Sequence, residues 1–331
     1  MKLKEFLIYI KKLSFAKIIN VFKYIFSLTI SYISRNPVRY NYPLSISVEP
    51  INYCNLKCPQ CPVGNGTMTR QKGKMGIVLF RKIIEQSGKY LLNLFLYFQG
   101  EPFLNKELFQ MIEMAKNNNI VTVTSTNGQF LNEENVEKMI LSGLDILIIS
   151  LDGTTQEVYE QYRIGGDMQK VIDGIRYINK YKKKLGVKYP FVEIQFIVLK
   201  TNEHQIEDFK KLVKKLKVDK YSLKTAQIYD YKNEERFIPS INRYSRYVKK
   251  GGNWMMKKKI RNRCNRLWNS AVITVNGDVL PCCFDKNAKY SFGNIQEDSL
   301  ENLVKGKKFQ KFAKTILLNR SGIDICNNCT E

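Results

Sequence analysis

The sequence predicts an α/β fold: an open, partial (β/α)6 TIM-like barrel followed by a small carboxyl-terminal α+β domain. Three observations lead there. Between residues 44 and 225, six short apolar runs alternate with amphipathic helical stretches, the pattern of a parallel sheet covered by helices. The eight cysteines form two groups, 54–61 and 264–329, with none between. Finally, Asn276-Gly277 stands between two alternating apolar runs, a hairpin signal foreign to strand–helix repeats. A length of 331 residues suits one large domain plus a smaller one. A composition 44% hydrophobic and 12% aromatic supplies a core and excludes a disordered chain.

Residues 1–42 differ from the rest. Eight Lys and Arg stand against one acid, Glu5, for a net charge of +7. Between the charges, Phe6, Leu7, Ile10, Leu13, Ile18, Val21, Phe22, Ile25 and Phe26 form an approximate helical stripe. Lys23 interrupts the most apolar window, which falls short of the roughly 20 residues of a membrane span. No small-residue cleavage site follows, so a secretory signal is not expected. The segment reads as an amphipathic helix, either lying on an anionic membrane surface or packing on its own domain.

Residues 43–225 form the barrel. Strands are expected at Leu44–Val48, Leu94–Phe98, Val121–Ser125, Ile146–Ser150, Val192–Leu199 and Tyr221–Leu223. Helices are expected at Ile77–Lys89, Lys106–Asn117, Glu133–Leu141, Met168–Lys184 and Glu203–Leu216. Functional groups then belong at the carboxyl ends of the strands. Residues 226–263 read as a basic linker, with Lys249, Lys250, Lys257, Lys258, Lys259, Arg261 and Arg263 around Trp254. Such a run is a solvated face, or a clamp for an anionic substrate over the barrel mouth. From 264 to 331 come Cys264, the hairpin Ala271–Val275 and Val279–Phe284, a helix from Leu300 to Ile316, and Cys326-Asn-Asn-Cys329.

The formal charge of +24, from 54 Lys and Arg against 30 Asp and Glu, suits an anionic partner; a Lys- and Asn-rich composition produces the same surplus without one. The lone histidine, His204, falls at a polar helix start on the surface, which leaves no His-rich metal site and no His-based triad. No Walker loop, Rossmann fingerprint or internal repeat occurs.

The chemistry centres on Cys54-Asn-Leu-Lys-Cys58-Pro-Gln-Cys61, just after the first strand. Three thiolates on one loop converge on one metal centre, and three sulfurs leave one iron of a four-iron cluster open. Structural zinc prefers four protein ligands. The CxxxCxxC spacing resembles that of the radical S-adenosylmethionine (SAM) enzymes, in which the open iron holds the amino and carboxylate groups of SAM. The residue before the third cysteine is often aromatic in that family; here it is Gln60.

The resemblance extends over residues 44–331. Gln99-Gly100-Glu101-Pro102, after the second strand, resembles the motif that binds the SAM amino group. Ser125 and Asn127 follow the third strand at the height of ribose and methionine. Ser150-Leu151-Asp152-Gly153 resembles the family's SLDG run, with Ser150 and Asp152 facing the cavity. Arg163 is similar to the arginine that reaches the SAM carboxylate, and Val198 takes the place of an apolar residue flanking adenine. Cys264, a Gly-x4-Cys ending at Cys282, and the late CxxC resemble the SPASM or shorter twitch domains. Five cysteines complete only one auxiliary cluster, which implies Cys264, Cys282, Cys326 and Cys329 as ligands and leaves Cys283 spare and buried.

The resemblance implies two [4Fe–4S] clusters, SAM, and a low-potential flavodoxin- or ferredoxin-type electron donor. It also implies reductive cleavage of SAM to a 5′-deoxyadenosyl radical, which abstracts hydrogen from a substrate, with the auxiliary cluster in electron transfer. Oxidation of a sugar-like or aminocyclitol alcohol and peptide modification are the candidate reactions; a membrane-lipid or surface-glycan substrate is a third. The expected location is cytoplasmic or peripheral at the inner membrane face. The competing class is a non-enzymatic zinc protein that binds nucleic acid through its basic surface.

Overall fold

The computed structural model describes residues 3–231 and 234–330; Lys2 of the basic segment, Lys232 and Asn233 of the linker, and Glu331 lie outside them. Two helices, α1 (Leu3–Ile10) and α2 (Phe15–Ser34), lead into β1 (Ser45–Val48). Then follow α3 (Ile77–Ser87), β2 (Asn93–Phe95), α4 (Leu108–Asn117), β3 (Val121–Thr126), α5 (Glu133–Leu141), β4 (Ile146–Ser150), α6 (Gln156–Tyr162), α7 (Met168–Lys184), β5 (Phe191–Val198), α8 (Ile206–Lys215) and β6 (Lys220–Thr225). The remainder holds β7 (Tyr247–Lys250), β8 (Asn253–Met256), α9 (Asn265–Asn269), β9 (Ser270–Ile273), β10 (Asp278–Leu280), β11 (Gly293–Asn294), α10 (Leu300–Lys305) and α11 (Lys307–Asn319).

Local chemistry sets the helix ends. The Asn132 side chain accepts the Asn135 N–H at the start of α5, beside Glu133 and Glu134. Asp167 accepts from Gln169 and Lys170 at the start of α7, whose last turn carries three lysines. The single helix expected over Leu300–Ile316 is two, because the chain turns at Gly306. A Cβ there would lie 2.4 Å from the Asn302 carbonyl oxygen, so only glycine permits the break.

Strands β1 to β6 are parallel and sequential, as the alternation predicts. One nine-stranded sheet results, in the order β11-β10-β9-β1-β2-β3-β4-β5-β6. The carboxyl-terminal hairpin therefore extends the barrel sheet: β9 pairs parallel with β1, Ser45 opposite Ser270 through Val48 opposite Ile273. That pairing covers the backbone edge an open barrel would otherwise expose. The span 226–263 is also more than a linker, since β7 and β8 form an antiparallel pair. Tyr247 at its base hydrogen-bonds Ile228 and Asn328, the latter inside the terminal CxxC.

The two faces of the sheet differ. Ile46, Val48, Leu94, Leu96, Leu147, Ile149, Ile194 and Phe196 belong to the main core with the covering helices. On the other face, Val121, Val123, Ile146, Ile148 and Phe191 pack around Ile8 of α1, which plugs the inside of the barrel. α1 and α2 are thus docked on their own domain. The Lys17 ammonium, deeply buried, donates to the carbonyls of Lys12 and Asn119.

Candidate active site

β1 delivers the chain to the three-cysteine loop. Cys61 N–H donates to the Cys58 carbonyl at 3.1 Å, and Leu56 N–H lies 3.4 Å from Cys54 Sγ. Gly64 lets the loop close: a Cβ would stand 2.5 Å from Cys58 N. The three cysteines pack with Leu56, Tyr162, Leu199 and Ile228 in a small apolar cluster of their own. Burial pushes the Cys54 thiol up to about 11. It also raises Cys58, against the pull of the Arg163 guanidinium. Any metal or cluster bound as thiolates here must displace protons.

The strand ends converge on that loop. Gly100 has φ +74°, and a Cβ would meet the carbonyl oxygens of Ile51 and Tyr53 at 2.5 and 2.7 Å; this brings Gln99–Pro102 against the residue before Cys54. Among the described residues, none donates a hydrogen bond to the buried Gln99 Oε1. Glu101 accepts from Phe103 N–H (3.2 Å), Thr126 Oγ1 (2.7 Å) and Asn127 N–H (2.8 Å). Burial still raises its carboxyl to about 7. Asn127 Nδ2 reaches Asn55 Oδ1 at 2.9 Å and lies 3.6 Å from Cys54 Sγ. Arg163 is no surface residue: it ion-pairs with Asp152 at 2.6 Å, and its Nη1 lies 3.7 Å from Cys58 Sγ. Ser125, half-buried, is the last residue but one of β3, and Ser150, half-buried, ends β4.

In the carboxyl-terminal region, Cys264, Cys282, Cys326 and Cys329 line one small cavity with Leu267, Phe312 and Arg320. Arg320 Nη2 donates to Cys329 Sγ at 3.2 Å. Burial raises the Cys326 thiol to about 11. Cys283 turns the other way, half-buried. It lines a separate cavity of about 530 Å³ along the inner face of β1, β2 and β9, with Ser47, Tyr97 and Arg266. Arg266 Nη1 donates to its sulfur at 2.9 Å.

A family model, the radical SAM superfamily, matches residues 48–213, and an iron-sulfur cluster-binding domain model matches 264–330. The chain belongs to the radical SAM superfamily. It is 25% identical over 294 residues to a tungsten-containing aldehyde ferredoxin oxidoreductase cofactor-modifying protein of Pyrococcus furiosus, covering 80% of this chain and 82% of that one. It is 24% identical over 295 residues to an S-adenosyl-L-methionine-dependent 2-deoxy-scyllo-inosamine dehydrogenase of Niallia circulans (86% and 92%). Its fold matches BtrN in complex with AdoMet and 2-DOIA with a TM-score of 0.55 at 20% identity, over 88% of this chain and 94% of that one.

Radical SAM chemistry needs SAM and iron–sulfur clusters, and the residues present suit them. Gln99 Oε1 is an orphaned acceptor suited to an ammonium, and the donor sets are thiols. Among the described residues no three His, Cys, Asp or Glu converge tightly enough for a single ion; a four-iron cube holds its thiolates further apart.

Two expectations need correction. Val198 is fully buried in the core on the helix side of β5, so it cannot flank a nucleoside. Its neighbour Ile197 packs with the three cysteines instead, one residue and therefore one face away. Asp152 does not face the cavity: it is wholly buried, with Oδ1 accepting Ile197 N–H and Oδ2 taken by Arg163. It positions the arginine. Sequence reasoning also missed Tyr97, Arg266 and Arg320. Strand alternation signals Tyr97, in step with Asn93 and Phe95; nothing local marks the two arginines.

Proposed function

We propose that this radical SAM enzyme is a dehydrogenase of a sugar-like or aminocyclitol alcohol, with one closed auxiliary cluster in electron transfer. The observation that carries this reading is the placement of the second cysteine group: four line one cavity and the fifth faces away. Four protein thiolates leave no open iron to ligate substrate, so an electron-accepting role remains. Held by Cys54, Cys58 and Cys61, the first cluster with SAM would supply a hydrogen-abstracting radical, and a cluster held by Cys264, Cys282, Cys326 and Cys329 would supply the one-electron acceptor that balances two-electron oxidation of an alcohol to a carbonyl. The aminocyclitol relative is consistent with this choice.

In this reading Cys54, Cys58 and Cys61 hold the first cluster, and Cys264, Cys282, Cys326 and Cys329 the second. The Gln99–Pro102 turn receives the SAM amino group, through the Gln99 oxygen and the close backbone approach that Gly100 allows. Arg163, aimed by Asp152, meets the SAM carboxylate beside Cys58. Glu101 and Asn127 hold the third strand end against the cysteine loop, where Ser125 and Ser150 present hydroxyls. Residues 43–225 do the radical chemistry, and 264–331 carry the electron sink. A flavodoxin- or ferredoxin-type protein supplies electrons in the cytoplasm, and residues 1–42 make peripheral contact with the inner membrane face.

The test is anaerobic reconstitution followed by incubation with dithionite, SAM and a panel of polyols and aminocyclitols deuterated at the carbinol carbon. Substrate-dependent 5′-deoxyadenosine carrying deuterium, with a ketone product, is expected. Zinc in place of iron would overturn the enzyme reading. Deuterium transfer without a ketone would overturn the dehydrogenase.

A further inference from the structure

Helix α2 is inside out. The side facing the protein carries the buried polar residues Lys17, Asn20, Ser27 and Ser31. The side facing solvent carries Phe15 (78% exposed), Ile18, Phe22 (67%), Phe26 and Ile33 (80%), and Phe6 of α1 adds to it. These positions recur at three- and four-residue spacing, so they form one continuous ridge. A helix at a water-facing surface buries its apolar stripe; this one packs Tyr24, Leu28 and Tyr32 on the core beside its polar roots and still leaves a second apolar ridge exposed. Asn20 exchanges hydrogen bonds with Tyr42 (2.9 and 3.2 Å), and Ser31 Oγ bonds both the N–H and the carbonyl of Val38.

The polar roots decide how such a helix meets lipid. Contrary to the expectation from the sequence, the 20 residues of Phe15–Ser34 match a membrane span by length and composition alone. Crossing would carry a lysine, an asparagine and two serines into hydrocarbon and strip their backbone partners, so α2 lies in the plane of the surface. Charge decides which lipid. Lys4, Lys11, Lys23 and Arg35 are exposed around the ridge, while the only acid among residues 3–42, Glu5, is half-buried 3.6 Å from Lys220. Geometry decides the orientation. The polar contacts of Lys12, Lys17 and Asn20 include Tyr42, Asn119, Ile120 and Asp145, each just before β1, β3 or β4, at the amino-terminal end of the sheet, from which Ile8 reaches into the barrel. The three-cysteine loop follows the opposite end of β1.

We propose that the outer face of α1 and α2 seats this protein flat in an anionic bilayer surface, with the barrel mouth turned toward water, where a soluble electron donor reaches it. This deepens the membrane contact proposed above and rests on it.

The experiment is flotation of the cluster-loaded full chain with vesicles of equal parts phosphatidylcholine and phosphatidylglycerol, beside vesicles of phosphatidylcholine alone. Binding to the anionic vesicles that weakens with salt is expected. Phe22→Ser with Ile33→Ser, both already exposed, lowers partition at least about tenfold and leaves SAM cleavage unchanged. Lys11→Gln and Lys23→Gln each cost about fivefold on anionic vesicles only. A wild-type chain that binds neither vesicle overturns the membrane contact itself. Wild-type binding unaffected by Phe22→Ser with Ile33→Ser overturns the assigned face alone. A wild-type dimer that becomes monomeric in that variant, with no vesicle binding, makes the ridge a self-association surface and overturns the proposal.

Discussion

Asp152 and Arg163 form an ion pair whose removal separates folding from catalysis. The carboxylate has no exposed surface and the guanidinium side chain is 12% exposed, with contacts of 2.6 Å. Asp152→Ala leaves a buried positive charge without its partner, a loss of about 3–5 kcal/mol. It also orphans the Ile197 N–H that Oδ1 accepts at 2.6 Å. Adding Arg163→Met removes the stranded charge and leaves chiefly that N–H unsatisfied, about 1–3 kcal/mol. The double variant is thus more stable than the single one by about 2 kcal/mol, a coupling that additivity forbids. Chemical unfolding of the cluster-free chain, followed by tryptophan fluorescence, reads this directly. After anaerobic reconstitution the double variant is expected to retain its first cluster yet cleave SAM about ten- to hundredfold more slowly, because it lacks the charge-assisted bond to the SAM carboxylate that we propose for Arg163. A single variant that loses less than about 1 kcal/mol, or a double variant no more stable than the single, would refute the pairing argument. Normal SAM cleavage by the double variant would refute the role of Arg163.

Two further outcomes follow from the site. Cys282→Ala reduces reconstituted iron by about four atoms per chain, whereas Cys283→Ala leaves it unchanged; iron and sulfide assays decide, and the reverse result exchanges the two cysteines. The Glu101 carboxyl, raised to about 7 in the folded chain, binds its proton more tightly folded than unfolded. Its contribution to stability is therefore present in full below the ordinary glutamate range near 4.5 and is lost as pH climbs to about 7, by roughly 3 kcal/mol. Glu101→Gln flattens that slope in unfolding curves of the cluster-free protein; an unchanged slope means another group titrates.

Much of this protein is legible along the chain. Six strand–helix units, the loop Cys54–Cys61 and the hairpin at Asn276-Gly277 are local patterns, set by periodicity, spacing and turn chemistry. The bounds of β4, α5 and α7 follow residue by residue, since cap residues and apolar steps lie within a few positions of each other. What escaped were choices between two sides of an element. In β5 the alternation puts Val192, Ile194, Phe196 and Val198 on one face and Glu193, Gln195 and Ile197 on the other, so the side of Val198 is legible, whereas which face meets the cysteines is settled only by the fold. Cys282 and Cys283 are neighbours, and only the path of the chain after β10 sends one to the auxiliary cavity and the other to the inside of the barrel. α2 shows a stripe to any periodicity argument. That its polar side faces inward is decided by carbonyls at Tyr42 and Asn119, tens of residues away or more. The parallel pairing of β9 with β1 joins residues more than two hundred positions apart. Local chemistry determines which elements form; which face each turns, and to whom, is decided by contacts distant in sequence that exist only once the chain has folded.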